Sequence, residues 1–164
     1  MTLIDTYQAK GFDLRPMAER DLLEVVQIEE ICGLSRWGRD GYRTELLSEV
    51  DGLMLIASPL SNARNPADER IAGFIAARLM ADELHINNVA VRQQYRRSGI
   101  GGALLSAVME RGKQQGARKA FLEVRVSNAP ARALYERHGF EIVGKRPDYY
   151  TQPVEDALVM VVML

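Results

Sequence analysis

The period of the apolar positions changes several times along the chain, and each change marks an element. Residues 12–16 read as a short strand. From 21 to 32 the apolar residues Leu22, Val25, Ile28 and Cys32 fall on one helical face. A polar, glycine-containing loop over 33–40 follows and carries the only tryptophan, Trp37. Asp40 is placed to cap a second short helix reaching to about Glu49. Runs 53–58 and 71–80 read as paired strands, joined by an exposed loop over 59–70 rich in Pro, Asn, Asp and Ser. The second half is more regular: strand 84–91, helix 100–115, strand 119–124, helix 129–138, strand 140–144 and strand 157–164. Gly116 and Gly139 stand just past their helices, where a left-handed cap favours glycine. The strand-helix-strand order predicts a parallel pair at the centre of a mixed sheet. Residues 1–11 read as a loose arm, which leaves 12–164 as one domain.

Two irregularities in this pattern carry more than topology. In 84–91 the apolar alternation runs Leu84, Ile86 and then resumes as Val89, Val91. The phase slips at Asn87-Asn88, which is the mark of a β-bulge. A bulge here would splay the strand from its parallel neighbour and leave backbone amides unpaired; the plainer reading is a strand that ends early. Just beyond lies Arg96-Arg97-Ser98-Gly99-Ile100-Gly101-Gly102. Its glycines fall where the amphipathic helix begins, so orphan N–H groups and the positive end of a helix dipole converge on one place. Such a place suits an anion, a pyrophosphate above all. A turn that merely lets a helix pack close to a strand is the alternative, and the adjoining Arg96, Arg97 and Ser98 favour the anion. A dinucleotide fold fits poorly, because Leu104 stands where its third glycine belongs. Gly139 to Lys145 has the spacing of a P-loop, but Arg146 replaces the required Ser or Thr and the element order is reversed.

Composition narrows the class without choosing a function. The 164 residues, 47% hydrophobic and 26% charged, fit one domain with its own core. A formal net charge of −1 implies no general affinity for nucleic acid. The single cysteine, Cys32, excludes an internal disulfide and suits a reducing cytoplasm. The beginning of the chain lacks the basic-then-apolar layout of a signal peptide, and no apolar run is long enough to span a bilayer. A cytoplasmic protein acting away from membranes is expected.

Among reactive side chains, Glu123 falls at the C-terminal end of its strand, where parallel arrangements hold ligands. Tyr135 lies on the next helix. A carboxylate and a phenol around one slot can serve as base and acid, although a solvated Glu and a half-buried Tyr are ordinary surface and core residues. Asn128 opens the helix as an N-cap and can present its side chain to a ligand. His85 and His138 are the only histidines, and neither has a second ligand at metal spacing, so no metal is expected. Glu83 is a rival base. Trp37 reads equally as core or as a substrate lid.

Taken together these residues resemble the Gcn5-related N-acetyltransferases. Arg96-x-x-Gly99-x-Gly101 after a bulged strand is similar to their acyl-coenzyme A signature, and the resemblance spans about 12–164. Two further runs are similar to the bacterial ribosomal-protein alanine N-acetyltransferases of that superfamily: Leu122-Glu123-Val124-Arg125-Val126-Ser127-Asn128, and Ala133-Leu134-Tyr135-Glu136-Arg137-His138-Gly139-Phe140. So are Asp148-Tyr149-Tyr150 and Glu155 to Met160. The chain departs from that group in having Ser35-Arg36 before Trp37 and Gly38 after it.

The resemblance implies an α/β (α+β) fold: a mixed, mostly antiparallel sheet with a splayed parallel pair, helices on both faces, the acyl-CoA N-acyltransferase fold. It implies acetyl-CoA as cosubstrate and no metal. Val89, Ala90 and Val91 would meet the pantetheine arm, and Arg96, Arg97, Ser98, Gly99, Ile100, Gly101 and Gly102 would wrap the pyrophosphate. Asn128 would touch the cofactor. Glu123 would be the general base and Tyr135 the acid, while Trp37, Tyr149 and Tyr150 would border the acceptor. The implied acceptor is the N-terminal amine of a protein, an alanine of a small-subunit ribosomal protein, and the expected state is a monomer or weak dimer. An α-amine with a pKa near about 8 needs less help than a lysine at about 10.4. Acetylation of a small amine or lysine, or a non-catalytic acyl-CoA sensor, are the alternative functions.

Overall fold

The computed structural model describes residues 11–48, 53–60 and 70–164. Within them lie β1 (Phe12–Pro16), α1 (Leu22–Ile31), α2 (Gly38–Leu46), β2 (Met54–Pro59), β3 (Gly73–Met80), β4 (Glu83–Val91), α3 (Ile100–Gln114), β5 (Lys119–Arg125), α4 (Ala129–Arg137), β6 (Glu141–Thr151) and β7 (Val154–Met163). The strands form one sheet in the order β1-β2-β3-β4-β5-β7-β6. Every neighbouring pair is antiparallel except β4 and β5. The arm at 1–10 and most of the expected 59–70 loop fall outside the described residues.

Period-two patterning sorts the side chains into two cores, one on each face of the sheet. On one face Leu84, Leu122, Val124 and Met160 pack against Leu104, Leu105 and Val108 of α3 and Tyr135 of α4. On the other, Ile56, Phe74 and Ala90 pack against Leu22, Val25 and Ile28 of α1 and Tyr42 of α2. Cys32 joins this second core as a half-buried packing residue, as its helical spacing predicts.

The phase slip at Asn87-Asn88 is a bulge. Ala76 pairs with Asn88 but Ala77 pairs with Ile86, so Asn87 has no partner on β3. Beyond it the parallel pairing stops: β4 and β5 are in register only from Glu83–Lys119 to Ile86–Leu122. The strands then diverge, and the gap between them is the splay expected from the sequence.

Three boundaries differ from the sequence pattern. Helix α2 starts at Gly38, with Asp40 already inside its first turn. Its cap comes from α1 instead: the Glu29 carboxylate accepts the backbone N–H groups of Trp37 and Gly38. A cap supplied from another helix leaves no local signature. Strand β6 runs to Thr151 rather than stopping at 144, because an exposed edge strand has no buried face to give it a period. Strand β7 likewise begins at Val154, three residues before its first fully buried position, Ala157.

One close approach fixes the strand that carries the bulge. A Cβ on Gly73 would stand 2.6 Å from the carbonyl oxygen of Ala90, a backbone atom that cannot swing aside. Gly73→Ala is therefore expected to lower stability by about 1–3 kcal/mol, read as a lower midpoint in urea unfolding. An unchanged midpoint would show that β3 and β4 can separate freely at this point.

Candidate active site

The splay exposes backbone groups in an alternating order. The Arg92 N–H donates to Ala72 O, which sets the hydrogen-bonded phase of the β3–β4 ladder. By antiparallel alternation Ala90 turns its N–H and C=O to β3, while Val89 and Val91 turn theirs into the gap. The Val91 carbonyl is taken by Arg96 Nε at 3.1 Å. The N–H groups of Val89 and Val91 face the slot.

At the end of β4 the chain makes a helical turn (Gln93–Tyr95) and enters the glycine stretch. Arg97 and Gly99 both take left-handed backbone conformations, φ 62 and 85. Left-handed residues in alternation gather successive N–H groups on one side, a concavity for an anion. Helix α3 follows at once, and its first intrahelical bond is Ala103 N–H to Gly99 O. The N–H groups of Ile100, Gly101 and Gly102 thus precede any intrahelical carbonyl partner. The glycines divide the work. Gly99 supplies the turn, whereas a Cβ on Gly101 or Gly102 would stand 3.3 Å from Leu134 or His138 of α4. The two side chains flanking Arg97 serve as braces. Arg96 reaches back to Val91 O and lies 3.7 Å from Cys32 Sγ, and the Ser98 hydroxyl donates to Tyr95 O.

Glu123 lies on β5 and Tyr135 on α4, and neither is among the residues that line the groove described below. Glu123 points to the face opposite the α3–α4 core, is 29% exposed and pairs with Arg146 Nε at 3.4 Å. Tyr135 is 8% exposed, and burial pushes its phenol up to about 12, with the neighbouring Tyr150 adding to the shift. It stays protonated throughout the neutral range. Asn128 caps α4, accepting the Ala131 N–H at 3.3 Å. Glu83 lies at the closed end of the parallel pair, away from the splay. Its carboxyl is held below the usual range, chiefly by Lys119 at 2.7 Å and also by His85.

Beside the splay runs an open groove of about 400 Å³. One wall is the α1–α2 connection, Glu30 and Gly33 to Arg36, with Glu29 behind it; the other is Arg125 with Tyr149, Tyr150, Thr151 and Gln152. Tyr149 and Tyr150, which the resemblance sets beside an acceptor, line this groove. Trp37 stands behind the first wall, against Tyr42 at 5.4 Å and under Arg78 at 5.9 Å. The stretch 33–36 belongs to the loop before Trp37, while Glu29, Glu30, Arg125, Thr151 and Gln152 are lining residues to which the sequence assigned no binding role. Arg125 organises the second wall: it donates to the carbonyls of Gln152 and Pro153, pairs with Glu155, and covers the Tyr150 ring at 4.1 Å. Among the described residues no group of His, Cys, Asp and Glu is arranged for a metal, and no helix is long and apolar enough to cross a membrane.

The splayed parallel pair, the glycine-rich start of α3 and the bordering groove belong to one α/β sheet with helices on both faces. The sequence pattern of the acetyltransferase (GNAT) family matches residues 22–140, and the chain belongs to that family. It is an N-acetyltransferase. An N-alpha-acetyltransferase from Sulfurisphaera tokodaii is 47% identical over 173 residues, covering 98% of each chain. A Bacillus subtilis protein with the provisional name ribosomal protein bS18-alanine N-acetyltransferase is 34% identical over 147 residues, covering 90% of this chain and 92% of its own. The crystal structure of the ribosomal-protein-S18-alanine N-acetyltransferase from Escherichia coli superposes with a TM-score of 0.77 at 29% identity, over 93% of both chains.

A buried polar chain holds the first wall to the bulge. Asn88, 3% exposed, donates to Tyr42 Oη at 2.8 Å and to Ser35 O at 3.2 Å, and the Tyr42 hydroxyl lies in the field of the Glu29 carboxylate. Burial pushes the Glu29 carboxyl up, against the N–H groups of Trp37 and Gly38. A raised folded value means that ionising Glu29 opposes folding; the penalty is absent below the unfolded value of about 4.3 and grows as pH rises through the folded one. Glu29→Gln removes this dependence. The stability of the natural protein relative to the variant should therefore fall between about pH 4 and pH 7, measured by urea unfolding at both pH values. A constant difference would mean that Glu29 carries no burial penalty.

Proposed function

We propose that the protein transfers the acetyl group of acetyl-CoA to the α-amino group of a protein N-terminus, an alanine of a small-subunit ribosomal protein. The observation that carries this reading is the open groove walled by two separate chain segments, which leaves room for an extended peptide next to the splay. The names of the Bacillus subtilis and Escherichia coli relatives support the alanine and the ribosomal substrate.

In this reading the cradle of Arg97 to Gly102 binds the pyrophosphate of acetyl-CoA, with Asn128 beside the donor. The cradle's inward N–H groups and the start of α3 suit that charge. The donor supplies an activated thioester. The Val89 and Val91 amides hold its arm, and a slot-facing N–H stabilises the negative charge that develops on the carbonyl oxygen. Glu123 accepts the proton of the incoming ammonium, directly or through a water, so that the neutral amine forms the new C–N bond. Tyr135 gives its proton to the sulfur as the C–S bond breaks, and the proton that the new amide nitrogen must still lose returns to the phenolate, so that Tyr135 ends the cycle protonated. A thiol of pKa about 8.5 leaves more easily when protonated, and a phenol held near 12 is available to do it at any working pH. Tyr149 and Tyr150 face the acceptor from the hairpin side, and 33–36 from the other.

Incubating a peptide that begins with Ala together with acetyl-CoA should add one acetyl group at its α-amine, detected by mass spectrometry. Acetylation of a lysine side chain or a small amine, with the α-amine untouched, would reject the proposed acceptor. Tyr135→Phe should lower kcat on the order of 10²-fold while acetyl-CoA binding by calorimetry stays within about two-fold. Undiminished turnover would remove Tyr135 from the acid role.

A further inference from the structure

Strand β6 is not adjacent to β5, because β7 lies between them. Arg146 nevertheless reaches Glu123 across β7. In register, Glu123 faces Val159 and then Gly144, while Arg146 shares a row with Ala157 and Arg125. Ala157, a small residue with no exposed surface, lets the arginine side chain pass over β7. Arg125 does not compete for Glu123, since its guanidinium is committed to the 152–153 carbonyls, Glu155 and the Tyr150 ring.

The root of Arg146 is held on both sides. Before it, Lys145 pairs with Asp156 at 2.8 Å. After it, β6 slips register with β7 between Arg146 and Tyr150, Asp148 takes φ 50, and the Asp148 N–H donates to the same Asp156 carboxylate at 2.8 Å. The kink brings the Tyr149 ring to 6.0 Å from the Arg146 guanidinium. The nearest atoms of the pair are Arg146 Nε and Glu123 Oε1, neither carboxylate oxygen accepts a hydrogen bond among the described residues, and Tyr149 and Tyr150 lie in the carboxylate's field.

We infer that Arg146 is a positioning residue for the base: its guanidinium beside Oε1 of Glu123 orients the carboxylate toward the acceptor's proton. This rests on the reading of Glu123 as the base. The pair is too exposed to matter for stability, with 56% of the Arg146 side chain in solvent. Its effect lies in orientation, and a mispositioned catalytic group loses rate steeply.

The test is steady-state kinetics on an alanine-initiated peptide with four proteins: natural, Arg146→Ala, Arg146→Lys and Glu123→Gln, plus the Glu123→Gln/Arg146→Ala double variant. Arg146→Ala should lower kcat about ten-fold, with peptide KM, acetyl-CoA affinity and unfolding midpoint unchanged. Arg146→Lys should recover part of the loss. In the Glu123→Gln background, Arg146→Ala should have no further effect. Loss of the same factor in both backgrounds, an unchanged kcat, or a raised peptide KM at constant kcat would each overturn the inference. If Glu123→Gln itself keeps full turnover, the base assignment fails instead, which is a separate result.

Discussion

After four paired residues β4 and β5 part, and the rest of the site depends on that parting. The cause is one unpaired residue, Asn87, which reverses the phase of the strand. Without it Val89 and Val91 would continue the parallel ladder, and their amides would be spent on β5. With it, a strand whose neighbours bury both faces of the sheet still presents free donors at its end. The gap costs the sheet its central hydrogen bonds at this point, and the two cores on either side hold the diverging strands in place.

The bulge is also where the polar interior concentrates. Asn88 donates to Tyr42, the Tyr42 hydroxyl lies in the field of the Glu29 carboxylate, and Glu29 caps the start of α2, so buried polar groups run from the bulge to that helix. Each member would be expensive to leave unpaired, on the order of 1–3 kcal/mol. The network thus specifies one arrangement of the 33–37 segment relative to β4. On the opposite side of the groove, Arg125 and Glu155 tie the β6–β7 hairpin to the end of β5, and Glu155 accepts the Ser127 N–H at 2.7 Å, just ahead of α4. Both groove walls are therefore fastened to the strands that splay.

Much of this was legible in the residues. The period shifts placed α3, α4, β4 and β5 within a residue or so, because each has a buried face that imposes a repeat. The apolar slip at Asn87-Asn88 identified the bulge, and Gly116 and Gly139 take the left-handed conformation expected past their helices. What escaped depends on partners distant in sequence. The cap of α2 comes from Glu29, the second half of β6 has no buried face, and Glu29, Glu30, Arg125, Thr151 and Gln152 carry no local signal that marks them as groove lining. Trp37 illustrates the limit: core and lid were equally compatible with its loop, and only the tertiary contacts with Tyr42 and Arg78 place it behind the wall. Arg146, set aside as the flaw in a false P-loop, meets Glu123 only because β7 inserts between β5 and β6.

Gly101 and Gly102 let the first turn of α3 lie directly on Leu134 and His138 of α4. The start of α3 and the helix that carries Tyr135 thereby touch at these two glycines. In the proposed reaction this contact would set the separation between the glycine stretch and the Tyr135 phenol. The groove walls are fastened elsewhere, to β4 and β5, so their side chains would vary without moving either.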